Sequence, residues 1–225
     1  METLVVYETP FKKVRIGSKG DGGYVIVDND LSLYTTLVSL GICDDNNFEV
    51  EFNNISNAYI QQYDYSIEKP PIYIKNSEFF KIKVETLSDL IPHTGTKKFL
   101  KMDIEGSEWS LLPTLNLNEY EQIVIELHMY GTPIEQINAS IEHLTKNHKV
   151  VHVHANNNGF PICYMKKNKR MSLMFNLLEV TLLRNDICNF SPNKTHYPTE
   201  LDSPNNKDKP EWELNFLESY TTSPI

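Results

Sequence analysis

Cysteine is nearly absent. Cys43, Cys163 and Cys188 are the only three in 225 residues, too few and too scattered for a disulfide framework or a cysteine-rich zinc site. An odd number of thiols favours a reducing compartment, so a cytoplasmic location is expected. No apolar run approaches the ~18 residues a membrane-spanning helix needs. The opening residues lack the basic and apolar regions of a secretory signal, and none is expected. Positive charge is short as well: 21 Lys and Arg stand against 30 Asp and Glu, a formal net charge of −9. That balance argues against a general binder of phosphate backbones, so no nucleic-acid partner is expected. The one dense basic run, Lys166-Lys167 with Lys169-Arg170, reads as a solvated loop. Nor is there a Gly-x-Gly-x-x-Gly fingerprint, which weakens a sugar-directed, NAD(P)-dependent oxidoreductase as an alternative.

What is present suits one α/β domain with an extension. Tyr34–Leu40, Ala58–Tyr63, Phe79–Val84, the run ending at Asp103, Gln122–His128, Val150–His154 and Phe175–Leu183 read as strands. Helices are expected over Phe48–Ile55, Thr86–Ile91 and, most clearly, Pro133–His148, where Ile134, Ile137, Ile141 and Leu144 recur at helical spacing. Such alternation predicts βαβ units and a mainly parallel sheet. Four of the nine glycines crowd into Gly17-Ser-Lys-Gly-Asp-Gly-Gly23, ahead of the β-rich Tyr24-Val-Ile-Val27. The expected division is a domain over 1–190, with a β-rich entry over 1–33, and an aperiodic arm over 191–225 that folds over the domain or stays partly disordered.

The densest chemistry lies in Lys101-Met-Asp-Ile-Glu-Gly-Ser-Glu108. An apolar strand delivers Asp103 and Glu105 to a glycine and then to a helix. That places carboxylates at the C-terminal edge of a sheet, where ligands of open α/β sheets bind. Together with Ser39-Leu-Gly-Ile-Cys-Asp-Asp-Asn-Asn-Phe-Glu49 and the strand-ending Asp64, this octet resembles S-adenosylmethionine-dependent methyltransferases. It most resembles their FkbM-like branch, whose fourth strand carries Lys-x-Asp-x-Glu-Gly-x-Glu. Arg15-Ile-Gly, Asp21-Gly-Gly-Tyr-Val25, Glu126-Leu-His128, His154-Ala-Asn-Asn157 and Glu179-Val-Thr181 fit the same branch in matching order. The first loop departs from it, with Ile42-Cys43-Asp44 where relatives are often richer in glycine.

The resemblance implies a Rossmann-like α/β fold, a mostly parallel seven-stranded sheet flanked by helices, and S-adenosylmethionine as cofactor. It implies cofactor contacts from Asp21, Gly22, Gly23, Gly41, Ile42, Asp44, Glu49, Asp64 and Asp103. It also implies O-methylation, with a sugar or another small hydroxylated acceptor, and leaves room for a longer glycan-assembly polypeptide around this domain. The residues themselves support parts of this. Gly41 would let a ligand approach the backbone, and Asp64 could accept from two ribose hydroxyls or simply cap its loop.

An alcohol attacks only after losing its proton or having its acidity raised. Two routes are open. His128 or His154 could be a general base oriented by Asp103 or Glu126. Alternatively Asp103, Glu126 and His128 could hold Mg²⁺ or Mn²⁺. Asn156 and Asn157 are turn formers or substrate contacts; Tyr24, Trp109 and Tyr130 either stack on a ligand or pack. His152 reads as a packed strand residue, His143 and His148 as helix-surface residues, and His93 and His196 show no evident partner. A catalytically inactive binding module with this fold is the non-enzymatic alternative.

Overall fold

Seven strands form the central sheet of the computed structural model, which describes residues 4–165 and 171–214. They are β1 (Thr36–Leu40), β2 (Tyr59–Tyr63), β3 (Ser77–Phe80), β4 (Lys98–Met102), β5 (Gln122–His128), β6 (His148–His154) and β7 (Leu177–Arg184). Their spatial order is β3-β2-β1-β4-β5-β7-β6. The four pairings from β3 to β5 are parallel, and β7 runs antiparallel to both β5 and β6. The chain therefore reverses direction across the sheet between β1 and β4, and a ligand site is expected at that switch point.

Every residue of β1 is buried, as suits a central strand covered on both faces. Alternation sends the two sides of each strand into different cores. Val38, Leu40, Leu100, Met102, Ile123 and Ile125 pack with Trp109, Leu111, Ile137, Ile141 and Leu144. These come from helix α2 (Glu108–Leu111) and helix α3 (Ile134–Asn147). Leu37, Ile60, Phe99 and Val124 face Phe48 and Phe52 of helix α1 (Asn47–Ser56), with Tyr24 and Ile26. The last two belong to an antiparallel hairpin, Lys12–Gly17 with Gly23–Asp28, laid beside α1. Phe52 meets Phe99 edge-on with centroids 5.0 Å apart, and truncating such a ring costs about 3–5 kcal/mol.

Several sequence expectations need correction. The strand expected over Phe79–Val84 begins and ends earlier, and Thr86–Ile91 yields only a 3₁₀ turn, Leu87–Asp89. One turn cannot repay helix nucleation when Pro92 forbids its extension. The last expected strand divides at Asn176: Met171–Phe175 pairs with Pro161–Met165 as a separate hairpin, and Leu177 onward joins the sheet. His148 is not on a helix surface; it opens β6, fully buried, with Nε2 2.9 Å from the Tyr120 carbonyl. His93 also has a neighbour, the Tyr120 ring.

The described part of the arm packs onto the domain. Ser191–Pro192 pairs with Tyr7–Glu8, and Asp202 meets His152 at 2.8 Å. The basic run over 166–170 and the arm beyond 214 lie outside the described residues. Among the described residues, no helix is long and apolar enough to cross a membrane.

Candidate active site

The C-terminal ends of β1, β2 and β4 open onto a cavity of about 350 Å³, within the range of small-molecule sites. Asp21, Gly22, Gly41, Ile42, Asp44, Asp64 and Asp103 line it, seven of the nine residues expected to hold a cofactor. Glu49 and Gly23 do not. Glu49 is completely buried beneath the cavity, accepting from Ser39 Oγ at 2.5 Å and pairing with Lys101 at 3.5 Å. Gly23 lies against the hairpin turn, where a Cβ would stand 1.9 Å from the Ser18 carbonyl oxygen.

Gly41 and Asp64 also have structural work at the cavity wall, and for Asp64 it is the loop-capping alternative. Gly41 has φ +79°, and a Cβ there would fall 1.6 Å from the carbonyl oxygen of Asp103. Its glycine is required by the close approach of β4's end, not only by a ligand. Asp64 spends both oxygens on loops: Oδ2 accepts from the Ile42 and Cys43 amides at 3.0 and 2.8 Å, and Oδ1 from Ser66. Burial alone would raise its pKa, but the bonds from Ser66, Cys43 and Ile42 hold it below the ordinary carboxylate value. Asp64 thus fixes the first loop as an anion at the cavity wall. Six carboxylates, from Asp21, Asp44, Asp45, Asp64, Asp103 and Glu105, face the cavity against two lysines, Lys83 and Lys101. That field favours a cationic ligand.

Beside the cavity, β4 and β5 build a nest of carboxylates around His128. Its Nδ1 lies 3.1 Å from Glu108 Oε1, and its Nε2 lies 3.2 Å from Glu105 Oε2. The same Nε2 stands 3.9 Å from both Asp103 Oδ1 and Glu126 Oε2. Burial alone would lower the imidazole pKa, but hydrogen bonds to Glu105 and Glu108 raise it to about 11. These anions favour the imidazolium form of His128, so its Nε2 can serve as a base or a ligand only after giving up its proton. Burial, reinforced by the Asp103 and Glu179 carboxylates, pushes Glu126 well above the usual carboxylate range. Burial also raises Asp103, against the pull of Lys101 and His128.

Asp103 joins cavity and nest. Its Oδ2 accepts from Tyr24 Oη at 2.9 Å, while its Oδ1 is shut off from solvent and takes no hydrogen bond. Burial and the neighbouring carboxylates raise the Tyr24 pKa far above normal, so the phenol stays a donor. Tyr24 is thus a buried ligand of Asp103, and Trp109 a buried core residue donating to the His128 carbonyl at 2.6 Å. Only Tyr130 is open, 76% exposed at the rim beside Phe160.

His154 is not brought to the cavity. Glu179 Oε2 lies 3.0 Å from its Nδ1 and Glu211 Oε2 3.2 Å from its Nε2, and these partners raise its pKa to about 9 despite burial, which acts the other way. Asn156 donates to Glu126 at 2.7 Å, while Asn157 clamps the arm through the Asn206 and Lys209 carbonyls. Neither leaves its amide group free for a substrate.

The residue that sequence reasoning missed is Glu108. It is fully buried, accepts from the Ile104 and Gly106 amides at 3.0 and 2.9 Å, and orients His128. The available signal was an acid in the first turn of a helix, where such a side chain reaches back to free amides.

A family model described as the methyltransferase FkbM domain matches residues 11–160, two thirds of the chain. A search among curated proteins finds no match. Among solved structures, a precorrin-6y C5,15-methyltransferase of Geobacter metallireducens is 12% identical, with 66% of this chain and 79% of that one covered at a TM-score of 0.37. An rRNA methylase of Streptococcus thermophilus is 12% identical, with coverages of 69% and 93% and a TM-score of 0.40. A Streptococcus mutans chain in complex with SAH is 11% identical, with coverages of 67% and 91% and a TM-score of 0.35.

Proposed function

The chain belongs to the FkbM methyltransferase family, and from that premise we propose that this S-adenosylmethionine-dependent enzyme methylates a hydroxyl of a sugar or glycan. The observation that carries the reading is Asp103 Oδ1, a buried, unbonded carboxylate oxygen at the junction of the acid-lined cavity and the nest. The cavity residues suit the cofactor, because a surplus of carboxylates favours its positive charge and loops held by Asp64 and Asp103 give it rigid walls. When bound, the cofactor supplies a methyl carbon on a sulfonium that leaves as a neutral thioether.

The chain's own residues act on the acceptor. A hydroxyl needs hydrogen-bond acceptors and a destination for its proton, and Asp103 and Glu126 offer both. A carboxylate whose pKa is raised by burial is the stronger base, which suits Asp103 to take the proton at Oδ1. Tyr24 fixes the other oxygen, so the receiving atom cannot rotate away. The His128 imidazolium stands 3.9 Å off as a fixed positive charge, and Glu108 holds its ring in place. The net charge of −9 and the acidic cavity wall set the reading against a phosphate-rich acceptor. Three unpaired cysteines suit a cytoplasmic setting.

Calorimetry with S-adenosylmethionine and a screen of glycans for the mass of one added methyl test the proposal. The variant Asp103→Asn should bind cofactor within a few-fold of wild type yet lose about 10²–10⁴ in turnover, the usual share of a general base. Near-normal methylation by that variant, or no cofactor binding by the wild type, would overturn it.

A further inference from the structure

Three unspent ligand atoms converge inside the nest. Asp103 Oδ1 is buried and takes no hydrogen bond. Glu126, 4% exposed, gives Oε1 to Asn156 and aims Oε2 at His128 Nε2, 3.9 Å away. The His128 ring is fixed from behind by Glu108 at Nδ1, so Nε2 is its forward atom. One atom from each of the three residues lies within 4.8 Å of the others. The atom now against Nε2 belongs to Glu105, whose side chain is 85% exposed on a loop where Gly106 has open space around it. A carboxylate behind a histidine, orienting the nitrogen that faces forward, is the usual support of a metal-binding imidazole.

We propose that Asp103, Glu126 and His128 form a binding site for a hard divalent cation, Mg²⁺ or Mn²⁺, and that Glu105 is the exchangeable partner that leaves Nε2 to the ion. As the ion takes the Nε2 lone pair, the Nε2 proton passes to solvent. Two carboxylate oxygens and one imidazole, with no thiolate, suit these ions. Ligand atoms sharing an ion at ~2.1 Å stand about 3.0–4.2 Å apart, so the three need only small side-chain movements to close on it. Three ligands leave positions for water and for an acceptor oxygen. The inference rests on the O-methylation reading and deepens it: with the ion in place, its charge replaces that of the His128 imidazolium and raises the acidity of an acceptor hydroxyl beside it, which then loses its proton to solvent while Asp103 Oδ1 serves as a ligand.

The test needs neither cofactor nor acceptor. Chelator-treated full-length protein is titrated with Mn²⁺, and the free ion is followed by electron paramagnetic resonance. One ion per chain is expected, with affinity at least about tenfold weaker in Glu126→Gln and His128→Ala. Asp202→Asn, which alters a carboxylate that serves His152 and Thr199 and is no part of the nest, should bind as wild type does. No saturable binding, or equal affinity in wild type and both nest variants, would overturn the site. If those variants fail to fold, the wild type decides alone: Mg²⁺ must shift the ring-proton resonances of His128 and leave those of His148 in place. Calorimetry with S-adenosylmethionine in excess chelator runs beside this. Cofactor binding there without an Mn²⁺ site refutes the cation alone, whereas an Mn²⁺ site without cofactor binding leaves the cation standing and refutes the methyl-transfer reading.

Discussion

Replacing Glu108 by glutamine should damage the site from a position that touches no ligand. The carboxylate serves three donors: the Ile104 and Gly106 amides and His128 Nδ1. A glutamine carries one oxygen and one NH₂ group, so at least one of these donors must face another donor at about 3 Å. The loss combines a charge-assisted bond, about 1.5–3 kcal/mol, with a buried amide left unsatisfied, about 1–3 kcal/mol. With its oxygen in the Oε1 position, glutamine keeps the Ile104 and His128 bonds as neutral ones and loses that from Gly106, so we expect a net cost of about 3 kcal/mol. For a domain of this size that lowers Tm by about 6–12 °C. His128 should respond too, since one of its two hydrogen-bonded anions is gone; its pKa should fall from about 11 by about 1–3 pH units. Thermal unfolding by circular dichroism and titration of the His128 ring protons measure the two effects. A Tm within 2 °C of wild type (an estimated threshold below ~1 kcal/mol), together with an unmoved His128 titration, would show that Glu108 neither anchors the loop nor orients the ring.

Two more outcomes follow from the backbone and from burial. Gly41→Ala must separate the end of β1 from Asp103, because its Cβ would lie 1.6 Å from that carbonyl oxygen at a φ of +79°. It should lose well over about 2 kcal/mol of stability along with cofactor binding, read by denaturant unfolding and calorimetry; a stable variant that binds normally would contradict the packing of β1 on β4. His148 is held neutral, with burial lowering its pKa from 6.5 to about 4 despite the Tyr120 carbonyl. A depressed histidine contributes stability that is complete above the unfolded pKa and lost as pH falls from ~6.5 through about 4, amounting to about 3 kcal/mol. His148→Gln should flatten the fall in Tm over that acid window, and an unchanged pH profile would contradict the assignment.

What the sequence revealed and what it hid divide along contact range. β4 was legible because Phe99, Leu100 and Met102 form an apolar run broken by Asp103 and Gly106, all local signals. Helix α3 was legible from its spacing, yet its end was not, because no glycine or proline separates Asn147 from His148 and the apolar pattern runs straight into β6. The environment of His154 was beyond reach. One of its partners, Glu211, comes from an arm 57 residues away that carries no periodicity. Asp64 was visible as a strand-ending acid, but which donors it serves depends on how the loop after β1 curls back to it. The division at Asn176 was hidden as well, since Phe175 and Leu177 are equally apolar and only the pairing partners differ.

The position of Asp103 explains how the cavity and the nest, proposed above to take cofactor and acceptor, can be held in register. Its strand end is gripped from three directions. On the β1 side, the Asp103 amide bonds to the Leu40 carbonyl at 2.8 Å and Lys101 Nζ to the Gly41 carbonyl at 2.6 Å. From the hairpin, Tyr24 holds its carboxylate. On the α2 side, Glu108 ties down the loop that follows. Displacement of a methyl group needs its reacting atoms within about 3–3.5 Å and in line, and an error of about 1 Å costs on the order of 10² in rate. A carboxylate on a free loop could not meet that tolerance. One fastened to β1, the hairpin and α2 at once can, which is why the burial that raises its pKa and the contacts that fix its place belong to the same structural solution.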